Sequence, residues 1–130
     1  MGAVERLPEA ELDVMLALWQ FDRPARTARI LQEVSARRAW TLPTLKVILG
    51  RLVEKGYVEV SREGRFTLYR ATLREADYRR QETRGIARRY FDDSVKKMIA
   101  SLVQEEDLTG ADIAELEAIL HKAGRGKTNG

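Results

Sequence analysis

Seven basic side chains (Arg23, Arg26, Arg29, Arg37, Arg38, Lys46 and Arg51) fall within residues 23–53, and Glu33 is the only acid among them. Guanidinium and ammonium groups at that density donate hydrogen bonds to phosphates and to base edges, so the stretch implies a surface for a polyanion. The concentration is hidden in the total, because the whole chain carries a formal net charge of only +3. Lys46 and Arg51 belong to the run Thr44-Leu45-Lys46-Val47-Ile48-Leu49-Gly50-Arg51-Leu52-Val53, which has a helical period. At about 100° per residue, Leu45, Ile48, Leu49, Leu52 and Val53 form one apolar stripe. The opposite face carries Pro43, Val47, Gly50, Arg51 and Glu54, with Thr44 and Lys46 on its flanks. A helix entering a DNA major groove needs this shape: small residues permit close approach, Lys46 or Arg51 reaches guanine or phosphate, and Val47 can touch a thymine methyl. Gly50 costs about 1 kcal/mol relative to alanine inside a helix. It implies either backbone approach to DNA or a tight helix crossing within the protein.

Other chemistries have little to work with. The absence of Cys removes disulfides, thiol nucleophiles and Cys-based zinc sites together. The single His, His121, sits near a helix end, where it interacts with the last carbonyls. Asp92 and Asp93 are adjacent and would point apart on a helix. Acid–base and nucleophilic schemes need convergent titratable groups, so no catalysis, no metal site and no cofactor is expected.

The elements that must position the basic face follow from period and punctuation. A first helix opens after Pro8, with Leu12, Met15, Leu16 and Trp19 as a stripe and Glu9, Glu11 and Asp13 near its positive dipole end; Asp22-Arg23-Pro24 ends it. Thr27 is placed to cap a second helix that buries Ile30, Leu31 and Val34 and runs to about Arg38. Thr41 caps the third, Pro43 fits its first turn, and Gly56 stops it. The period then changes to 2 in Tyr57–Ser61 and Phe66–Arg70, joined by the turn Arg62-Glu63-Gly64-Arg65. Three helices and a hairpin are the order of a winged helix-turn-helix. In that fold the third helix enters the groove, Arg62 and Arg65 sit at the wing, and Thr27, Arg29, Arg37 and Arg38 can grip phosphates without reading sequence. Trp40 and Tyr69 follow the core period.

Beyond Leu73 the pattern is helical again, so the expected fold is mainly α with a small β-hairpin. Its domains are a winged helix at 1–73, a helical dimerisation region at 74–123 and a disordered tail at 124–130. Residues 75–90 are polar and Arg-rich; Arg80, Arg84 and Arg88 form either a second DNA stripe or, as such rows more often do, a solvated face offset by Asp77 and Glu82. Asp92 or Asp93 can cap a helix whose stripe is Val95, Met98, Ile99, Leu102 and Val103. Thr109 with Asp112 resembles a capping pair for a last helix carrying Ile113, Leu116 and Leu120 and closed by Gly124. Two apolar stripes in under fifty residues lack material to cover them, which favours pairing with the same segment of a second chain. Two-fold symmetry would then set two recognition helices on an inverted-repeat site. No apolar run approaches the ~18 residues of a membrane span and no leader is visible, so a cytoplasmic protein without membrane insertion is expected. A winged-helix scaffold that binds an acidic protein instead of DNA is the competing reading.

With these elements placed, the sequence resembles the BlaI/MecI-type penicillinase repressor family of bacterial transcription regulators. The matching residues are Ala10-Glu11-Leu12-Asp13-Val14-Met15 with Leu18-Trp19, Trp40-Thr41, Thr44-Leu45-Lys46, Arg51–Val58, Glu106-Asp107-Leu108 and Glu115-Leu116, from about Leu7 to Lys122. The resemblance implies a homodimeric repressor that binds operator dyads upstream of resistance or stress genes. It implies release when a membrane-embedded sensor leads to proteolysis in the dimerisation region. Aligned on Glu106-Asp107-Leu108, the cut would fall at Ser101-Leu102, where relatives have Asn-Phe. Val47 and Gly50 stand where relatives often carry hydroxyl or amide residues, so operator preference is expected to differ. The absence of Cys excludes the copper sensing of one branch of the family.

Overall fold

A computed structural model describes residues 6–126. The elements run α1 (Glu9–Leu18), β1 (Ala25–Arg26), α2 (Thr27–Val34), α3 (Leu42–Glu54), β2 (Val58–Glu63), β3 (Phe66–Ala71), α4 (Glu75–Tyr90), α5 (Val95–Glu105) and α6 (Gly110–Gly126). Two compact units divide between Thr83 and Arg84, inside α4.

In the first unit, α1, α2 and α3 enclose a core of Val14, Met15, Leu18, Ile30, Val34, Leu45, Leu49 and Leu52, closed by Leu7, Val58, Leu73 and Tyr78. The α3 stripe is buried as its period requires: Leu45, Ile48, Leu49 and Leu52 inside, Val53 at the margin. Thr41 occupies the cap position, and Pro43 lies in the first turn. At the far end Gly56 has φ +82°; its N–H donates to the Val53 carbonyl at 3.0 Å and the Tyr57 N–H to the Leu52 carbonyl at 3.0 Å. These two bonds are the Schellman closure, and only glycine adopts that φ without a Cβ penalty. The chain is thereby turned directly into β2.

The sheet has three strands, not the two of a hairpin alone, in the order β1-β3-β2 and antiparallel throughout. Glu63 pairs with Phe66 across a two-residue turn in which Gly64 has φ +62°. Arg26 pairs with Leu68, which holds its backbone extended at φ −75°, ψ 155°. Arg26 therefore takes the cap position of α2, and Thr27, expected as the cap, is the first helical residue. That helix also stops earlier than Arg38, at Val34; the Ser35 hydroxyl donates to the Gln32 carbonyl at 2.6 Å and takes one of the last acceptors.

The stripe of α1 is rotated from expectation. Its buried positions are Glu11, Val14, Met15, Ala17 and Leu18, of which only Met15 belongs to the expected stripe, whereas Leu12, Leu16 and Trp19 are half-buried beside Tyr78 of α4. Pro8 caps the helix with extended ψ 152° instead of entering its first turn. Trp19 donates from Nε1 to the Leu73 carbonyl at 2.8 Å, and the Leu7 N–H donates to the Tyr78 hydroxyl at 2.9 Å, so the first half of α4 belongs to this unit. Together these elements form a winged helix.

The second unit holds α5 and α6. Asp92 and Asp93, expected as caps, both take left-handed φ (53° and 61°), and the cap passes to Ser94, whose hydroxyl accepts from the Lys97 N–H at 3.1 Å. Thr109 and Asp112 form the expected reciprocal pair, at 3.0 and 3.2 Å. Gly124 does not close α6, which continues to Gly126: its φ is not positive, so no left-handed stop forms there. The tail expected from residue 124 is thus helical as far as Gly126, and residues 127–130 lie outside those described.

Leu49→Ala should lower the unfolding free energy by about 2–5 kcal/mol through the cavity it leaves. Val47→Ala, on the 56%-exposed side of the same helix, should stay within about 0.5 kcal/mol. Urea denaturation midpoints of the two variants measure the difference.

Candidate nucleic-acid interface

Burial of one α3 face turns Pro43, Thr44, Lys46, Val47, Gly50 and Arg51 outward, and all six are exposed. An added Cβ at Gly50 would meet nothing within 4 Å, which excludes the tight internal crossing and leaves a shallow patch on the helix surface. Thr41 and Thr44 place their hydroxyls 3.3 Å apart at the helix start. Neither Lys46 nor Arg51 has an acidic partner among the described residues. On this face the donors are free and the intervening side chains are small.

Beside it stands the wing. Arg62 is exposed on β2 opposite Thr67, and Arg65 occupies the turn with its guanidinium carbon 5.5 Å from the Phe66 ring centroid. Between wing and helix lies a cleft of about 320 Å³ lined by Arg26, Thr27, Lys46, Arg65, Phe66 and Thr67. Thr27, Lys46 and Arg65, read from sequence as separate contacts, are therefore brought together. Arg26, Phe66 and Thr67 join them without having been picked out as site residues. The signal for Arg26 was present in the basic run, but its placement depends on a two-residue strand with no period of its own.

Arg29 is exposed on α2, 5.5 Å over the Phe21 ring. It lines a different cleft with Arg23, Arg26, Glu63 and Leu68. Arg37 is exposed in the turn after α2. Arg38, expected to grip a phosphate, has internal partners in this fold: its Nε donates to Asp13 Oδ2 at 2.6 Å, Nη2 lies 3.8 Å from Glu9, and the guanidinium sits 5.7 Å over Trp40. It ties the segment before α3 to α1. Glu11, only 3% exposed, accepts from Lys55 Nζ at 2.6 Å, so the acidic residues of α1 answer basic ones at both ends of α3 in addition to the helix dipole. No buried side-chain polar atom among the described residues lacks a partner.

In the second unit α5 buries none of its residues. Val95, Ile99, Leu102 and Val103 of α5 and Ile113, Leu116 and Leu120 of α6 are exposed, and Met98 and Ser101 are half-buried. Ile99, Val103, Leu108, Ile113, Leu116 and Leu120 line an apolar groove of about 300 Å³. Ile119, 62% exposed, extends the apolar surface beyond the expected stripe. Among the described residues no group of three or more His, Cys, Asp or Glu is placed to hold a metal ion. No described helix is long and apolar enough to cross a membrane.

The family model described as "Penicillinase repressor" matches residues 7–122. The penicillinase repressor of Bacillus licheniformis is 27% identical over 122 residues, 94% of each chain. The methicillin resistance regulatory protein MecI of Mammaliicoccus sciuri is 24% identical over 116 residues, 89% of this chain and 94% of its own. Among solved structures, the Bacillus licheniformis BlaI monomeric form in complex with the blaP half-operator matches with a TM-score of 0.50 and 31% identity, over 60% of this chain and 94% of that one.

Because Arg38 is held by Asp13, Arg38→Ala should lower the unfolding free energy by about 1–2 kcal/mol, the range for a partly exposed charged hydrogen bond. Arg51→Ala should leave it unchanged within about 0.5 kcal/mol. Thermal unfolding of both variants checks the assignment; equal losses would contradict it.

Proposed function

The chain belongs to the penicillinase repressor family, whose members are transcriptional repressors and not enzymes, and from that premise we propose that it represses genes as a homodimer on an inverted-repeat operator in double-stranded DNA. The observation that carries this reading is the outward face of α3, where free donors flank small side chains beside a basic wing. A relative bound to a half-operator supports the same use of the domain.

The roles divide by chemistry. Arg51 reads a base edge; Val47 and Gly50 allow the helix to approach the groove closely; Thr41, Pro43 and Thr44 face the duplex at the helix start. Arg29, Arg62 and Arg65 contact phosphates and set position without carrying sequence information. Arg38 supports α3 through Asp13. The exposed stripes of α5 and α6 cover one another across a two-fold axis, since a face of that composition left in water forfeits about 25 cal/mol per Å² of apolar area. The controlled genes are of the antibiotic-resistance or cell-envelope stress type, and the protein works in the cytoplasm. Proteolysis by a membrane-sensor-linked protease at Ser101-Leu102 ends repression. That bond lies within α5, so the helix opens locally before it is cut, and the cut splits the stripe at Leu102.

Selection of bound fragments from the host genome should return a dyad. Against that duplex Arg51→Ala should lose about 1–3 kcal/mol of affinity and relax preference at one position per half-site. The wild-type affinity should fall steeply and linearly on a log–log plot against salt. A protein that ignores duplexes at low ionic strength would be a scaffold for an acidic partner instead.

Leu102→Asp should sediment as a monomer and lose tight operator binding. A stable dimer after that change would remove the α5 stripe from the interface.

A further inference from the structure

The cleft between α3 and the wing collects charge from three separate elements: Arg26 from β1, Lys46 from α3 and Arg65 from the hairpin turn. The hydroxyl residues Thr27 and Thr67 line it as well, and no acidic residue does. Glu63, the acid nearest the turn, lines the other cleft with Asp22 and Arg29, and Arg26 borders both clefts. None of the three cations has an ion-pair partner among the described residues. Like charges gathered around one concavity repel, and an anion seated there converts that repulsion into attraction.

Phe66 helps to hold two of these groups in place. The Arg26 guanidinium carbon lies 4.3 Å and that of Arg65 5.5 Å from its ring centroid. A guanidinium resting on an aromatic face keeps its in-plane N–H donors available, so the ring fixes the cation without consuming its hydrogen bonds. Phe66 is 40% exposed and is absent from the core cluster, so its ring serves the arginines and not the fold. Lys46 faces the same cleft, about 140° around the α3 axis from Arg51.

We infer that this cleft seats one backbone phosphate of the bound duplex, that Phe66 is the positioning residue for its two arginines, and that Lys46 is a phosphate ligand, leaving base reading to the Arg51 flank. The inference rests on the DNA binding proposed above. It adds Arg26 and Phe66 to the interface and assigns Lys46 to one of its two possible uses.

Binding is measured by fluorescence anisotropy on two short duplexes of unrelated sequence across a salt series. Arg26→Gln and Lys46→Gln should each weaken both duplexes alike and flatten the salt slope by about one per protomer. Phe66→Leu should weaken both by about two- to fivefold, the effect of losing an exposed cation–π contact, and Phe66→Tyr should restore wild-type affinity. Melting temperatures of all four should match the wild type, since the positions are exposed or half-exposed at the surface. Unchanged affinity and slope in all four variants, with a wild type that binds, would overturn the seat while leaving the repressor reading intact. Loss confined to one duplex in Lys46→Gln would make Lys46 a base reader and likewise overturn it. If inorganic phosphate, exchanged for chloride at equal ionic strength, raises the melting temperature of the wild type but not of Arg26→Gln or Lys46→Gln, while both variants bind the duplexes as the wild type does, the site belongs to a free ion and not to DNA. A wild type that binds neither duplex removes the seat together with the repressor reading.

Discussion

Leu45, Leu49 and Leu52 have no exposed surface, and their burial decides where every other side chain of α3 points. A helix has one rotational degree of freedom about its axis; once three residues at the spacing i, i+4, i+7 are committed to a packed interior, that freedom is gone. Thr44, Lys46, Val47, Gly50 and Arg51 then face outward as a consequence of packing on the opposite side. The remaining structure of the first unit works to keep that rotation and the helix's depth unchanged. α1 and α2 supply the apolar wall, Lys55–Glu11 secures the C-terminal end, and Arg38–Asp13 secures the approach to the N-terminal end. Both ion pairs set a basic residue near α3 against an acidic one on α1. Their energetic worth is modest for partly exposed partners, but their geometry opposes sliding of α3 along its own axis, which apolar packing resists less well.

The wing inherits its position from the same helix. The Schellman closure at Gly56 leaves no slack between the last turn of α3 and Val58, and the Thr72 and Leu73 N–H groups return to the Tyr57 carbonyl at 2.9 and 3.2 Å. The sheet is therefore anchored at the base of α3 and projects from it. β1 adds a third strand that is only Ala25–Arg26, yet it performs two tasks: it gives α2 an extended cap residue, and it carries the Arg26 side chain to the wing. α3 anchors the wing at one end and β1 pairs along one edge, and these two attachments define the sides of the cleft between them.

The parts legible in the sequence were those whose cause is local. The stripe, proline and terminal glycine of α3 act within one helix; the hairpin has its glycine turn; Thr109 and Asp112 are three residues apart and found each other. What escaped has its cause elsewhere in the chain. The tie from Arg38 to Asp13 is not visible in the sequence because the two lie twenty-five positions apart. Glu11 reads as a dipole residue because Lys55 is forty-four positions away. The rotation of α1 has the same origin: Leu12, Leu16 and Trp19 are a true apolar face, but the surface they meet is Tyr78 of α4, and the core takes the neighbouring ridge instead. At Asp92 and Asp93 the local preference was correct in kind, since aspartate tolerates left-handed backbone, and the cap moved two residues on to Ser94.

The two units differ in how they solve one problem, the covering of apolar surface. The first has seven large side chains with under 2% exposure, and its charged groups are spent on internal ties or left facing outward on one side. The second has an α5 with no buried residue and a groove whose walls are carbon throughout. Exposed apolar patches of that kind mark interaction surfaces, which is what supports the pairing proposed above. If the second unit pairs as proposed, its order is tied to concentration by mass action, whereas the packed core of the first is not. For a repressor this separation has a consequence. On the proposed homodimer, opening the second unit would weaken operator binding without disturbing the packing of Leu45, Leu49 and Leu52.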